Sequence, residues 1–212
     1  MNTPMRVVRS HTRLCAALSA AAVAAGLLAA SPVAAATRNI DASDDKVFTP
    51  RTISSAVGGS IHWTASGVDD HSVHQDRNVF DSGNPGPGLN FTRKFSAGTF
   101  AYRCEEHGDQ GMRGTVRVAP QALSAPAGLS FTVRWAATGT NTGNRFDVMY
   151  RVGSGAWKTW KNNTSAKSMV FGARSQPVSL ARGKSYAFKV RSGEGTGARQ
   201  SGFSPVKSFR AS

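Results

Sequence analysis

From residue 37 onward the apolar residues of this chain fall at every second position in short runs, broken by Gly, Pro, Ser, Asn and Asp. Alternation with period two lays one face of a pleated strand against a core and the other against solvent, whereas an amphipathic helix needs a 3.6-residue stripe. No stripe of helical length occurs. The chain therefore reads as all-β. Strands are expected at residues 60–64, 71–73, 90–95, 98–104 and 114–118, and again at 129–135, 146–152 and 186–191. Between them, Asp81-Ser82-Gly83-Asn84-Pro85-Gly86-Pro87-Gly88 is loop chemistry, because prolines fix φ and glycines free it.

Residues 1–36 stand outside this pattern. Arg6, Arg9 and Arg13, with no acidic residue among them, precede an alanine-rich apolar run that ends in Ser31-Pro32 and Val33-Ala34-Ala35-Ala36. A basic start, an apolar middle and an Ala-x-Ala end are the layout of a signal peptide, so export with cleavage after Ala36 is expected. The mature chain would then be secreted, extracellular or associated with the cell surface, and without a transmembrane segment. What is left of the 212 residues exceeds one small domain and suits two. Charge marks their boundary. Residues 37–119 hold nine Lys/Arg against ten Asp/Glu, while residues 120–212 hold fourteen against Asp147 and Glu194 alone, so most of the net charge of +14 belongs to the C-terminal half. Pro120, Pro126 and the small residues around them put a linker at about 119–128.

Cleavage would also remove Cys15 and leave Cys104 as the sole thiol, which has no internal disulfide to make and in an oxidising compartment invites an occupant. Cys104 opens the line Cys104-Glu105-Glu106-His107-Gly108-Asp109-Gln110-Gly111-Met112, a C-x2-H-x4-M spacing on a loop between two expected strands. A thiolate, an imidazole and a thioether are donors for a soft metal. With one more histidine they compose the His2Cys site with a weak axial Met that suits copper cycling between oxidation states. His71, at the start of an expected strand, is the candidate for that position. Singly, each residue has a plainer reading: Cys104 as a buried thiol, His107 as a loop histidine, Met112 as core filling. His62 alternates with Ile61 and Trp63 and so points outward. His74, three positions from His71, is expected on the opposite strand face and exposed, with a second metal site at His74 and Asp76 as a minor alternative.

In Phe48-Thr49-Pro50, Gly59-Ser60-Ile61-His62-Trp63, His71-Ser72-Val73, Phe80-Asp81-Ser82-Gly83, the run 95–104 and the run 111–118, residues 46–118 resemble a cupredoxin of the plastocyanin type. The resemblance implies a Greek-key β-sandwich holding one type 1 copper per chain. It gives His71, Cys104 and His107 as strong ligands, Met112 as the axial one, and His107 as the ligand nearest the surface and the electron port. The family usually has Asn after the first histidine, tying the two ligand loops together; here Ser72 stands in that place and is expected to brace the site less rigidly. Glu105 and Glu106 beside the thiolate are also atypical, and their charge should favour the oxidised ion and lower the reduction potential. Copper oxidases and nitrite reductases share the fold but use further histidines, beside the type 1 cysteine or as His-x-His pairs. Arg103 and Glu105 flank Cys104, and no His-x-His occurs, so an enzyme is not expected.

The second half resembles a fibronectin type III domain, an immunoglobulin-like β-sandwich. The resemblance rests on Trp135, on Phe146-Asp147-Val148-Met149-Tyr150-Arg151, and on Leu180 six residues before Tyr186, the spacing of a tyrosine corner. Arg182 with Lys184, and Lys189 with Arg191, are two apart on expected strand or strand-edge segments. Each pair would share a face able to hold an acidic cell-wall or extracellular polymer, with a plain solvated surface as the equal alternative. Trp157 and Trp160 among Lys158 and Lys161 offer stacking, though core packing and strand-edge cover are the stronger reading. The expected function is that of an exported blue copper protein passing single electrons to a redox partner protein by outer-sphere transfer, with the basic module targeting or adhering. Copper capture and delivery outside the cell, or copper-binding adhesion at the cell surface, use the same ligand set and stay open. Glu105, Glu106 and Asp109 further suggest that the acidic loop docks on the basic half.

Overall fold

The computed structural model describes residues 36–124, 130–172, 178–194 and 199–211. All but the last residue of the expected signal segment, and residues 125–128 of the expected linker, lie outside the described residues.

Eight strands make the first half: β1 (Arg38–Ser43), β2 (Val47–Thr49), β3 (Thr52–Ser55), β4 (Ser60–Ser66), β5 (His74–Gln75), β6 (Asn90–Lys94), β7 (Gly98–Arg103) and β8 (Arg113–Val118). They form two four-stranded sheets in the orders β2-β1-β4-β6 and β3-β8-β7-β5. β1 lies parallel to β4 and β3 parallel to β8, and the other neighbours are antiparallel. The period-two pattern is visible in burial: Ile61 and Trp63 of β4, Phe100 and Tyr102 of β7, and Val116 and Val118 of β8 are all buried. Trp63 gathers this core, with the rings of Phe80, Phe91, Phe95 and Tyr102 at 5.5 to 6.1 Å. Residues 71–73 are not the expected strand. His71 makes only an isolated bridge, exchanging backbone hydrogen bonds with Gly86, and regular pairing starts at His74. The Pro- and Gly-rich loop at 81–88 supplies isolated bridges, Gly86 to His71 and Asp81 to His74, but carries no ladder.

Among its described residues the second half has seven strands: β9 (Gln121–Ser124), β10 (Phe131–Arg134), β11 (Arg145–Val152), β12 (Lys158–Thr164), β13 (Ser168–Phe171), β14 (Ser185–Gly193) and β15 (Lys207–Arg210). Their sheets run β13-β10-β9 and β12-β11-β14-β15, antiparallel throughout. β9 corrects the expected linker. Residues 121–124 pair with β10, Gln121 opposite Arg134 and Leu123 opposite Thr132, so the connection after β8 contracts to Ala119 and Pro120. The edge of β10 would otherwise leave backbone donors and acceptors without partners. Trp135 is buried and donates its indole N–H to the Ala166 carbonyl at 2.6 Å. The Ala181 N–H donates to the Tyr186 hydroxyl at 2.9 Å, which is the corner that the Leu180-to-Tyr186 spacing predicts.

The two halves meet at the start of β7. Thr99 exchanges backbone hydrogen bonds with Gly202 at 3.0 and 2.8 Å, its hydroxyl donates to the Phe203 carbonyl, and the Ala97 N–H donates to the Trp135 carbonyl. Lys94 caps the seam, accepting from Asn141 and donating to the Thr138 carbonyl. Cys104 follows the far end of β7, roughly 16 Å away at 3.3 Å per residue. The second half is thus seated at the end remote from the acidic loop, and the expected docking of that loop on the basic half is not the contact formed.

Candidate metal centre

Alternation along β7 points Phe100, Tyr102 and then Cys104 into the core. Immediately after Cys104 the chain must return within a few residues, and it does so through a 3-10 turn at Gly108–Gln110. Gly111, in the left-handed region at φ 93°, ends that turn, a conformation a side chain would strain. Backbone hydrogen bonds from the Met112 N–H to the His107 carbonyl and from the Cys104 N–H to the Met112 carbonyl, both 3.1 Å, close the loop on itself. The compact C-x2-H-x4-M spacing is what allows this closure. The Gly86 bridge then holds His71 against the loop from the other side.

His71, Cys104 and His107 bring one donor atom each within 4.8 Å of one another. The Cys104 Sγ lies 3.7 Å from His107 Nδ1, and the two imidazole rings stand 5.2 Å apart at 62°. Sulfur and nitrogen bound to one ion at about 2.3 and 2.0 Å are separated by roughly 3.5–3.7 Å, so the observed edge has the right length. The site is dry: Cys104 and Met112 are 0 % exposed, His71 1 % and His107 6 %. Neither ring nitrogen of His71 has a hydrogen-bond partner among the described residues. An imidazole so buried and unpartnered costs about 1–3 kcal/mol, a cost that a metal bond removes. Burial first, and then the neighbouring His107, holds His71 below the ordinary imidazole value of 6.5, in the neutral form that offers a lone pair. The donor set and the orphaned nitrogens fit a soft metal ion. Met112 is buried at the closing point of the loop, its backbone tied to both Cys104 and His107.

Ser72 does more than its length suggests. Its hydroxyl accepts the Glu105 N–H at 3.0 Å and reaches the Cys104 Sγ at 4.0 Å, while its own backbone N–H donates to that sulfur at 3.5 Å. The serine therefore ties the two ligand-bearing segments directly, because the fold brings them close enough for a short side chain. Glu105 and Glu106 are exposed beside this brace.

His62 is turned to Asn90 at the sheet surface, 2.9 Å away, as its alternation implies. His74 differs from expectation. It is half-buried, and its Nδ1 faces Asp81 and Glu105. Asp76 is not its partner, being drawn across the β5–β7 ladder to Arg103 at 3.1 Å. Sequence spacing does not reveal that Asp81 and Glu105 converge on one histidine: an isolated bridge brings Asp81 to His74, and Glu105 reaches it by its side chain.

In the second half Lys189 and Arg191 do share one face of β14, but that face is occupied. The Lys189 ammonium lies 4.6 Å from the Trp157 ring and 4.5 Å from Phe203. Arg191 stacks on Phe203 and donates to Asp147 at 2.8 Å. Arg182 and Lys184 are exposed in the turn before β14 and not on a strand, because Gly183, at φ 74°, reverses the chain there. Trp160 packs in the core against Trp135 and Phe171, and Trp157 covers the sheet beneath Arg151. Among the described residues no helix is long and apolar enough to cross a membrane.

No family model matches the chain. It is 30% identical over 84 residues to plastocyanin of Scenedesmus fuscus, covering 34% of this chain and 86% of that protein. Over 133 residues it is 29% identical to the chloroplastic plastocyanin of Tetradesmus obliquus, covering 54% of this chain and 92% of that one. Among solved structures it is similar to the oxidised form of plastocyanin from Dryopteris crassirhizoma, with a TM-score of 0.35 and 21% identity over 38% of this chain and 99% of that one.

Proposed function

This chain belongs to the plastocyanin family, and from that premise we propose that it is an exported carrier of single electrons, with one type 1 copper held by His71, Cys104, His107 and Met112. The observation that carries this reading is His71, buried beside a thiol and a second imidazole with neither ring nitrogen hydrogen-bonded among the described residues, the nearest carboxylate, Asp44 Oδ1, being 3.9 Å from Nε2. Copper bound by such a donor set supplies a one-electron couple in which both oxidation states are tolerated. The contribution of the chain is to hold the donors still and dry. Backbone hydrogen bonds close the loop from Cys104 to Met112, and the Ser72 brace restrains the sulfur, so little has to rearrange when charge changes. His107 is more exposed than His71, 6 % against 1 %, which supports its role as the port facing a redox partner protein. With four protein donors assigned there is no open position for a substrate, in keeping with a carrier and not an enzyme.

The remaining parts of the reading rest on separate observations. Export is supported by the basic, apolar and Ala-x-Ala sequence of residues 1–36. A fibronectin type III module over residues 120–212 is supported by the three- and four-stranded sheets, the buried Trp135 and the Tyr186 corner. Its role is targeting or adhesion, and exposed Arg182 and Lys184 are the residues best placed to meet an acidic polymer.

Titration of the purified mature chain with cupric ion, followed by visible absorption and electron paramagnetic resonance, tests the assignment. The expected result is an intense blue band with narrow hyperfine splitting at one copper per chain, bleached by ascorbate and restored on re-oxidation. Cys104→Ser removes the band. Pale copper with ordinary splitting would overturn the type 1 site, and copper lost to an acceptor during cycling would turn the reading to delivery.

A further inference from the structure

We propose that His74, Asp81 and Glu105 form a second metal site, distinct from the first, that takes a divalent cation of the zinc class. Their donor atoms lie within 4.8 Å of one another, with His74 Nδ1 at 3.0 Å from Asp81 Oδ2 and 3.3 Å from Glu105 Oε1. Nitrogen and oxygen donors at about 2.0–2.1 Å from a tetrahedral ion are separated by roughly 3.3 Å. The spacing is that of two edges of such a polyhedron, with room for water at the remaining position because Asp81 and Glu105 are exposed.

Charge counting favours a cation over a proton. One ring nitrogen faces two carboxylates, and Nδ1 has a single hydrogen to give, so a hydrogen bond from it serves only one of them. A divalent ion satisfies both and leaves the imidazole neutral. The competing side-chain cation is committed elsewhere: Arg103, directly opposite His74 in the ladder, is held by Asp76.

The three donors are also fixed before any ion arrives. His74 is paired in β5 and bridged to Asp81 through the backbone. The second Asp81 oxygen accepts the Gly83 N–H at 2.9 Å, which aims Oδ2 at His74. Glu105 is anchored by its N–H to the Ser72 hydroxyl. Since Glu105 follows Cys104, an ion there would neutralise the acidic side of the first site without touching its donors.

Equilibrium dialysis of the full mature chain against zinc, with bound metal measured per chain, tests the proposal. The wild-type chain is expected to hold one zinc equivalent more than His74→Ala and than the shape-conserving double variant Asp81→Asn with Glu105→Gln, the first site binding alike in all three. That equivalent must survive in Cys104→Ser, which disables only the first site. Cobalt gives an independent readout: in Cys104→Ser it should show weak d–d bands without thiolate charge transfer, and lose them when His74→Ala is added. Loss specific to the His74 and carboxylate variants supports the site whatever Cys104→Ser does to the first one. If zinc stoichiometry is the same in wild type, His74→Ala and the double variant, the cluster holds only a proton and the proposal fails.

Discussion

At the scale of single residues the candidate metal centre depends on the groups that brace its donors as well as on the donors themselves. Ser72 offers one oxygen to the Glu105 N–H and lies against the Cys104 sulfur. Ser72→Ala strips that acceptor from a partly buried donor, so it should cost about 1–2 kcal/mol, read as a lower urea midpoint of the metal-free chain. Ser72→Thr keeps the hydroxyl and should recover most of it; a neutral Ser72→Ala would show that the brace is ornamental. His71 gives a pH dependence of definite sign. Burial, and after it His107, lowers its folded-state value below 6.5, so as pH falls the unfolded chain takes up the proton first. The stability this confers on the metal-free chain is present above pH 6.5 and is lost as pH falls through the lowered folded value. His71→Phe should flatten urea midpoints measured between about pH 8 and pH 5, and an unchanged slope would mean that other groups set the acid limit.

At the scale of elements, close packing between neighbouring strands decides what the sheets tolerate. Gly114 of β8 sits opposite Tyr102 of β7, and a Cβ built there would lie 2.3 Å from the phenol oxygen and 2.4 Å from Cζ. The Tyr102 ring is buried against Phe48 and Trp63 and has nowhere to turn. Gly114→Ala should therefore destabilise by about 1–3 kcal/mol through overpacking, measured by chemical denaturation. A change within experimental scatter would show that β7 and β8 can part at no cost. The same strands explain what was legible in the sequence. β4, β7, β8, β11 and β14 alternate strongly, because one face of each is core. β1 does not: only Ile40 and Ala42 of Arg38–Ser43 are buried, and its existence depends on a parallel partner, β4, that a local pattern cannot reveal. β9 was hidden by Pro120 and by small residues that read as a linker. In the candidate metal centre, the meeting of Cys104 and His107 was legible because one short loop carries both. The grouping of His74 with Asp81 and Glu105 was not, since it is made by a bridge across a loop.

At the scale of the molecule, the halves share a hydrogen-bonded seam whose centre is a buried pair of small polar residues. Ser96 and Thr142 are both 0 % exposed. The Ser96 N–H donates to Thr142 Oγ1 at 3.0 Å, and the Ser96 hydroxyl lies 2.9 Å from that oxygen and 3.3 Å from the Thr142 carbonyl. Each half has its own pair of sheets, yet the buried hydrophobic residues of both belong to one cluster. What couples them is this seam, where any polar group that loses its partner on one side is stranded on the other. Thr142→Val keeps the shape and removes the oxygen, leaving a buried N–H without an acceptor at a cost of about 1–3 kcal/mol. If the halves unfold as one unit, scanning calorimetry of the mature chain should show a single transition that moves down by roughly 2–4 °C for each kcal/mol lost, with both halves moving together. Thr140→Val is the control, since its hydroxyl is bonded to Ala137 within the second half. Two transitions in the wild type, with only the second shifted by Thr142→Val, would mean that the first half folds without regard to its neighbour. A single transition that splits in Thr142→Val would locate the coupling in that one buried pair, and would make the basic half a rigid base for the first half and not a tail on a tether.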